Sequence, residues 1–91
     1  MIEGNLRIVN RLGLHARAAA QLVRLAGTFQ SKIVLKRTDN GFSADAKSIL
    51  NLLTLAASEG TEINLSADGS DEQEAFEAVS TLIGNRFGES Q

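Results

Sequence analysis

A histidine and an arginine lie two residues apart in the segment Gly13-Leu14-His15-Ala16-Arg17, just before an alanine-rich run. His15 is the only histidine among the 91 residues of the chain. Imidazole can act as a nucleophile near neutral pH, and the unpaired N–H groups at the start of a helix attract anions. The segment therefore predicts a phosphoryl group carried on His15 at a helix N-terminus, with Arg17 beside it.

The alternative for His15 is an ordinary surface or capping residue, which is the commoner role of a single histidine after a glycine. Arg17 favours the chemical role, because a guanidinium suits the charge of a phosphoryl group. In the polar stripe formed by Arg17, Gln21 and Arg24, Gln21 is expected only to face solvent.

Composition excludes several other functions. The net charge of -2 and the pI near 5.3 argue against nucleic acid or an anionic membrane as the main partner. The chain has no cysteine and one histidine, so neither a metal site nor another cofactor is expected. No apolar run approaches the length of a membrane span, and the first residues lack a signal-peptide pattern. We therefore expect a cytoplasmic protein without membrane insertion.

Hydropathy patterning predicts the element order β-α-β-β-α-β-α. The predicted strands cover residues 2–8, 31–37, 41–44 and 61–67, and the predicted helices cover 16–26, 45–57 and a segment from a Ser70 capping box to Gly84. Alternating strands and amphipathic helices favour an α+β fold, an open-faced sandwich with a four-stranded antiparallel sheet and three helices on one face. Residues 1–88 are expected to form a single domain, and residues 89–91 a frayed tail.

The second predicted helix has more apolar residues than one buried stripe can hold. Leu52 and Leu55 are assigned to the core. Ile49, Leu50 and Leu53 are then left as an exposed patch beside His15, of the kind that marks docking sites, although packing under a loop or self-association is the alternative. Three basic residues, Arg17, Arg24 and Lys47, are placed around the patch, where they would steer it towards acidic partners.

The histidine segment, the run Ala46-Lys47-Ser48-Ile49-Leu50, the turn Glu59-Gly60-Thr61 and the element order together resemble the HPr family. These are the histidine-containing phosphocarriers of the bacterial phosphotransferase system, and the resemblance covers nearly the whole chain. Lys47-Ser48 is more similar to the sugar branch of the family. The segment before the histidine, Asn10-Arg11-Leu12-Gly13, is more similar to the nitrogen-branch phosphocarrier, which remains an alternative.

The resemblance implies that His15 accepts a phosphoryl group on Nδ1 from the phosphoenolpyruvate-dependent first enzyme and passes it to a downstream component. Arg17 and the Ala16 and Arg17 backbone N–H groups would stabilise the phosphoryl charge. The chain would then be a monomeric carrier with a covalent phosphohistidine, not an enzyme. It departs from the family at Ala18, where most members have proline, and the helix is expected to form nonetheless.

The resemblance also implies a regulatory role for Ser48, through phosphorylation by a serine kinase and removal by a phosphatase. Ser48 is expected at the same time to cap the second helix. Two alternatives to the carrier remain from the sequence. One is a regulatory binding protein of the same fold that acts through Ser48, and the other is an interaction module in which His15 is incidental.

Overall fold

The computed structural model describes residues 1–90, which form strands and helices in the predicted order. The elements are β1 (Ile2–Arg7), α1 (Ala16–Ala26), β2 (Lys32–Arg37), β3 (Ser43–Asp45), α2 (Ile49–Leu55), β4 (Glu62–Asp68) and α3 (Glu72–Gly84), followed by a 3₁₀ turn (Arg86–Gly88). The predicted bounds of α1 are confirmed, and Ala18 lies buried in its first turn. Alanine in place of proline is therefore compatible with this helix.

The four strands form one antiparallel sheet in the order β1-β4-β2-β3. The pairing places Leu6 opposite Ile63 and Leu35 opposite Leu65, so apolar side chains of three strands meet on the same face. Ile63, Leu35 and Leu65 are fully buried there. This sheet and its helices confirm the predicted α+β class.

The helices cover the apolar face of the sheet. Leu22 of α1, Leu52 of α2 and Val79 of α3 are fully buried, and Leu52 confirms the core assignment made from the sequence. The opposite face is polar and open, and a shallow depression on it is lined by residues that include Glu3, Asn5, Lys36, Asn64 and Ser66. The molecule therefore has one covered and one uncovered sheet face.

The predicted return strand at residues 41–44 begins two positions late, at Ser43. The Gly41 N–H donates to the Arg37 carbonyl oxygen (3.0 Å) and the Arg37 N–H donates to that of Phe42 (2.8 Å). The chain therefore turns through residues 38–41 and not through a two-residue turn.

The helix predicted over residues 45–57 is shorter, because side chains close it at both ends. The Ser48 hydroxyl accepts a hydrogen bond from the Asn51 N–H (3.3 Å), which confirms Ser48 as the N-cap of α2. Ala56 has left-handed backbone angles (φ 53°) and ends the helix, and the Arg37 guanidinium donates to its carbonyl oxygen (3.2 Å).

The predicted capping box at the start of α3 is wrong. Asp71, not Ser70, is the N-cap, and Gln73 instead hydrogen-bonds Glu77 within the helix. The Asp71 carboxylate faces the start of β2, where it accepts hydrogen bonds from the Gln30 N–H (2.9 Å), the Ser31 N–H (2.9 Å) and the Ser31 hydroxyl (2.5 Å). A long-range contact has therefore replaced the local cap.

Glu89, the first residue of the tail predicted over 89–91, makes side-chain contacts in the structure. Phe87 is buried in the core, and the 3₁₀ turn around it directs the following chain back towards α1. Glu89 lies there in contact with His15 and Asn10. Gln91, the last residue of the predicted tail, lies outside the described residues.

Candidate functional site

His15 is the N-cap residue of α1, as its position before the alanine-rich run predicts. Its backbone is extended (φ -80°, ψ -179°), and its carbonyl oxygen accepts the first helical hydrogen bond, from the Ala19 N–H (2.8 Å). The ring atom Nδ1 accepts a hydrogen bond from the Arg17 N–H (3.2 Å). The imidazole therefore occupies the place of a capping side chain, at the positive end of the helix.

The loop before His15 is held against the loop that follows α2. The Leu14 N–H donates to the Ala57 carbonyl oxygen (2.9 Å), and the Leu14 side chain is buried beneath the site. Gly13 has a positive φ of 67°, and the His15 N–H donates back to its carbonyl oxygen (3.0 Å). These contacts fix the backbone on which the imidazole stands.

Two residues that the sequence analysis did not assign to the site complete it, Glu89 and Asn10. The ring atom Nε2 of His15 lies 2.5 Å from the Glu89 carboxylate oxygen Oε2. The fully buried Asn10 amide donates to the other carboxylate oxygen of Glu89 (3.1 Å) and to the Gly13 carbonyl oxygen (2.8 Å). His15 and Glu89 are separated by 74 positions, so no local spacing in the sequence could indicate this contact.

The electrostatics of the site agree with this geometry. The hydrogen bond to His15 is the largest cause that lowers the pKa of Glu89, and smaller contributions come from the Asn10 amide and from the charges of His15 and Arg17. The side chains of His15 and Glu89 are 26% and 16% exposed. The carboxylate is therefore held in its charged form beside a ring that solvent and a partner protein can still reach.

Arg17 lies exposed on the first turn of α1 and lines an open pocket of about 510 Å³ together with Arg11, Leu12, Glu89 and Ser90. The two guanidinium groups outweigh the single carboxylate of Glu89, so the pocket is positively charged and suits an anion. The structure thus brings together the predicted residues His15, Ala16 and Arg17 at the start of one helix.

The described residues contain no group of three or more histidine, cysteine, aspartate and glutamate side chains placed to hold a metal ion. Within residues 1–90, no helix is long and apolar enough to cross a membrane.

A model of the family described as "PTS HPr component phosphorylation site" matches residues 2–85. The chain belongs to the HPr family. It is 50% identical over 91 residues to the phosphocarrier protein HPr of Cupriavidus necator, a match that covers all of both chains. The phosphocarrier protein HPr of Xylella fastidiosa is 47% identical over 98% of each chain.

Among solved structures, that of HPr-C-His from Thermoanaerobacter tengcongensis matches with a TM-score of 0.92 and 41% identity, and covers all of both chains. Family and relatives agree that this chain is a phosphocarrier of the phosphotransferase system, as the sequence analysis predicts. The relatives described above are named HPr and not as nitrogen-branch proteins. Their names therefore favour an HPr phosphocarrier over the nitrogen-branch alternative.

In this HPr-family chain, the three predicted patch residues of α2 are exposed: Ile49 by 39%, Leu50 by 71% and Leu53 by 38%. Leu55 is buried, as predicted for a core residue. Leu12, which was not assigned to the patch, is 68% exposed on the loop before His15. The HPr-family chain thus presents apolar side chains on α2 and on the loop that carries the histidine.

Two of the predicted basic neighbours of the patch, Arg24 and Lys47, differ in their contacts. Arg24 is exposed in the last turn of α1. The Lys47 ammonium group donates to the Phe29 carbonyl oxygen (2.8 Å), so it ties the start of α2 to the loop after α1. In this member of the HPr family, Lys47 therefore has a structural contact in addition to any part in docking.

Proposed function

We propose that His15 is the phosphoryl acceptor of this phosphocarrier and that Nδ1 is the reacting atom. The observation that carries the proposal is the hydrogen bond between Nδ1 and the Arg17 N–H at the start of α1. That bond places a nitrogen lone pair next to the helix N-terminus and beside an exposed guanidinium. The donor is the phosphorylated first enzyme of the phosphotransferase system, and the acceptor is a downstream component.

The transfer needs little from the carrier besides position and charge. The Nδ1 electron pair attacks phosphorus and forms an N–P bond, while the bond from phosphorus to the donor atom breaks and its electron pair stays on the donor. The new phosphoryl group carries a charge near -2. It replaces the imidazole as the acceptor of the Arg17 N–H, and the Ala16 N–H and Arg17 guanidinium meet the remaining charge.

The stabilisation offered by the carrier is moderate because His15 lies at the surface. A strongly bound phosphoryl group would not be released, so the partner proteins supply the rest of the charge stabilisation in the transition state. In this proposal the chain is a cytoplasmic, monomeric carrier between proteins and does not itself turn over a substrate.

Partners dock on the α2 patch formed by Ile49, Leu50 and Leu53, with Arg24 and Lys47 at its edge. The exposure of these apolar side chains supports the assignment, since α2 buries its other face through Leu52 and Leu55. A partner that covers the patch would exclude water from the neighbouring surface, and its acidic residues would pair with the basic edge.

The test uses the purified chain with phosphoenolpyruvate labelled in its phosphoryl group and the first enzyme of the phosphotransferase system. The wild type is expected to take up label that is lost in acid and retained in base. His15→Asn is the matched variant, because asparagine is a favourable N-cap residue and lacks the imidazole. Equal labelling of His15→Asn, or an unlabelled wild type with several cognate first enzymes, would refute the proposal.

Phosphorylation of Ser48 is a second, regulatory role of the same protein. Ser48 immediately precedes the patch. Among the hydrogen bonds of the described residues, its hydroxyl takes part in one, which it accepts from the Asn51 N–H (3.3 Å). A phosphate there would add negative charge beside the docking residues and oppose acidic partners. Incubation with ATP and a matching serine kinase should give acid-stable label that Ser48→Ala lacks.

A further inference from the structure

We infer that Glu89 is a positioning residue for His15: its carboxylate holds the ring proton on Nε2 and so keeps Nδ1 as the nucleophile. The inference rests on the proposed role of His15. The geometry that supports it is the 2.5 Å contact from Nε2 to Glu89 Oε2, together with the Arg17 N–H that points at Nδ1 from the other side of the ring.

These two contacts define one tautomer. A backbone N–H can only donate, so Nδ1 must accept and carries the lone pair. A charged carboxylate can only accept, so Nε2 must carry the proton. The lowered pKa of Glu89 agrees with a carboxylate that stays ionised in this contact. The two ring nitrogens thus have fixed and different roles before a donor arrives.

The carboxylate is itself fixed in place. Asn10, which is fully buried, donates to Glu89 Oε1 and also to the Gly13 carbonyl oxygen in the loop before His15. Phe87 is buried two residues earlier and anchors the chain that leads to Glu89. The orientation of Glu89 is therefore determined by the core and by the histidine loop together.

The same contact serves both halves of the transfer. When Nδ1 forms its bond to phosphorus, the ring gains positive charge while Nε2 keeps its proton, and the adjacent carboxylate stabilises that charge. When the N–P bond breaks, its electron pair returns to Nδ1 and the ring is again neutral with its proton on Nε2. No proton has to enter or leave the imidazole in either direction.

The experiment compares Glu89→Ala, Glu89→Gln and the wild type by nitrogen NMR of the imidazole and by the rate of phosphoryl acceptance. At a pH where the ring is neutral, the wild type should show a single tautomer with the proton on Nε2. Glu89→Ala should show a mixture of tautomers and accept the phosphoryl group about tenfold more slowly, in line with carboxylates that orient functional histidines elsewhere. Glu89→Gln keeps an acceptor oxygen and should give intermediate values.

Glu74→Ala removes one exposed acidic side chain from the first turn of α3 and serves as the charge-matched control, which should behave as the wild type. The inference is overturned if Glu89→Ala keeps the wild-type ring signals, or if it accepts the phosphoryl group as fast as the wild type or faster. A wild type that shows the single tautomer but takes up no label refutes the proposed function and leaves the tautomer assignment intact. If the wild type takes up label and Glu89→Ala has the same ring signals and the same rate of acceptance, only the inference is refuted.

Discussion

A β-carbon on Gly13 would lie 2.7 Å from the Ala57 carbonyl oxygen, the atom that accepts the Leu14 N–H. The histidine loop and the loop after α2 therefore approach so closely that only a residue without a side chain fits between them. The same residue has a φ of 67°, which side chains other than glycine rarely adopt. One glycine thus satisfies both a steric and a conformational requirement two residues before His15.

Gly13→Ala is expected to lower the free energy of unfolding by about 1–3 kcal/mol and to slow phosphoryl acceptance, because the loop must move away from Ala57. Gly41→Ala is the matched control. Gly41 also has a positive φ, of 76°, but a β-carbon there would meet no atom within 4 Å. Urea unfolding of both variants separates the cost of the close contact with Ala57 from the cost of the positive φ. An equal loss of stability would show that the close approach to Ala57 contributes nothing.

Asn10→Ala is expected to reduce the free energy of unfolding by about 1–3 kcal/mol, since it removes the buried amide that donates to the Gly13 carbonyl oxygen and to Glu89. It should also slow phosphoryl acceptance through the loss of its contact with Glu89. Asn64→Ala is the comparison, because it removes an exposed amide hydrogen bond to Asn5 on the open sheet face. Thermal unfolding and labelling together test this, and an Asn10→Ala protein as stable as Asn64→Ala would contradict it.

Asp71→Asn should destabilise the protein near neutral pH and flatten its loss of stability in acid. Hydrogen bonds from the Ser31 hydroxyl, then from the Gln30 N–H and the Ser31 N–H, lower the pKa of Asp71. A carboxyl group with a lowered pKa in the folded state contributes stability above its unfolded value, about 3.9 for aspartate, and this is lost as pH falls through the folded value. In Asp71→Asn, an NH₂ group replaces one carboxylate oxygen, and it cannot accept the hydrogen bond from the Gln30 N–H.

Denaturant unfolding at pH 7 and at several values below pH ~4 measures this difference. The stability gap between the wild type and Asp71→Asn should narrow steadily as the pH is lowered. If the difference in stability between the two proteins stays constant over that range, the hydrogen bonds from Gln30 and Ser31 do not stabilise the charged form of Asp71.

Leu50→Glu and Leu53→Glu should each weaken binding to the first enzyme about tenfold or more, because an apolar contact becomes a charge of the same sign as the acidic partner surface. Leu50 is 71% exposed, so its replacement should change stability by less than about 0.5 kcal/mol. Phe42→Glu is the control: it adds the same charge at an exposed apolar residue of the β2–β3 turn. Calorimetric titration should find that Phe42→Glu binds the first enzyme with unchanged affinity. A loss of affinity equal to that of Leu50→Glu would indicate a general effect of the added charge.

Local patterns were sufficient where neighbours in sequence decide the structure. The bounds of α1 follow from its alanines, and the capping role of Ser48 follows from its place before an apolar run. The place of His15 and Arg17 at a helix start likewise follows from the sequence, and both lie there in the structure.

Two further departures from the sequence-based expectations come from contacts between distant residues. Ser70 has the right local context for a cap, but Asp71 is the residue at the helix start, and its carboxylate accepts hydrogen bonds from Gln30 and Ser31 and not from the first N–H groups of the helix. Glu89 contacts His15 from the chain that follows the buried Phe87, and the sequence around Glu89 does not indicate that contact. Hydrophobic periodicity describes which face of an element is buried, and it does not describe which polar groups meet after the elements have packed.

The separation of 74 positions between His15 and Glu89 also sets an order of events during synthesis. At 5–20 residues per second, the ribosome adds Glu89 roughly 4–15 s after His15. During that interval a nascent chain already contains the histidine but not its carboxylate partner. The imidazole–carboxylate pair can therefore form only after synthesis has passed α3 and reached Glu89.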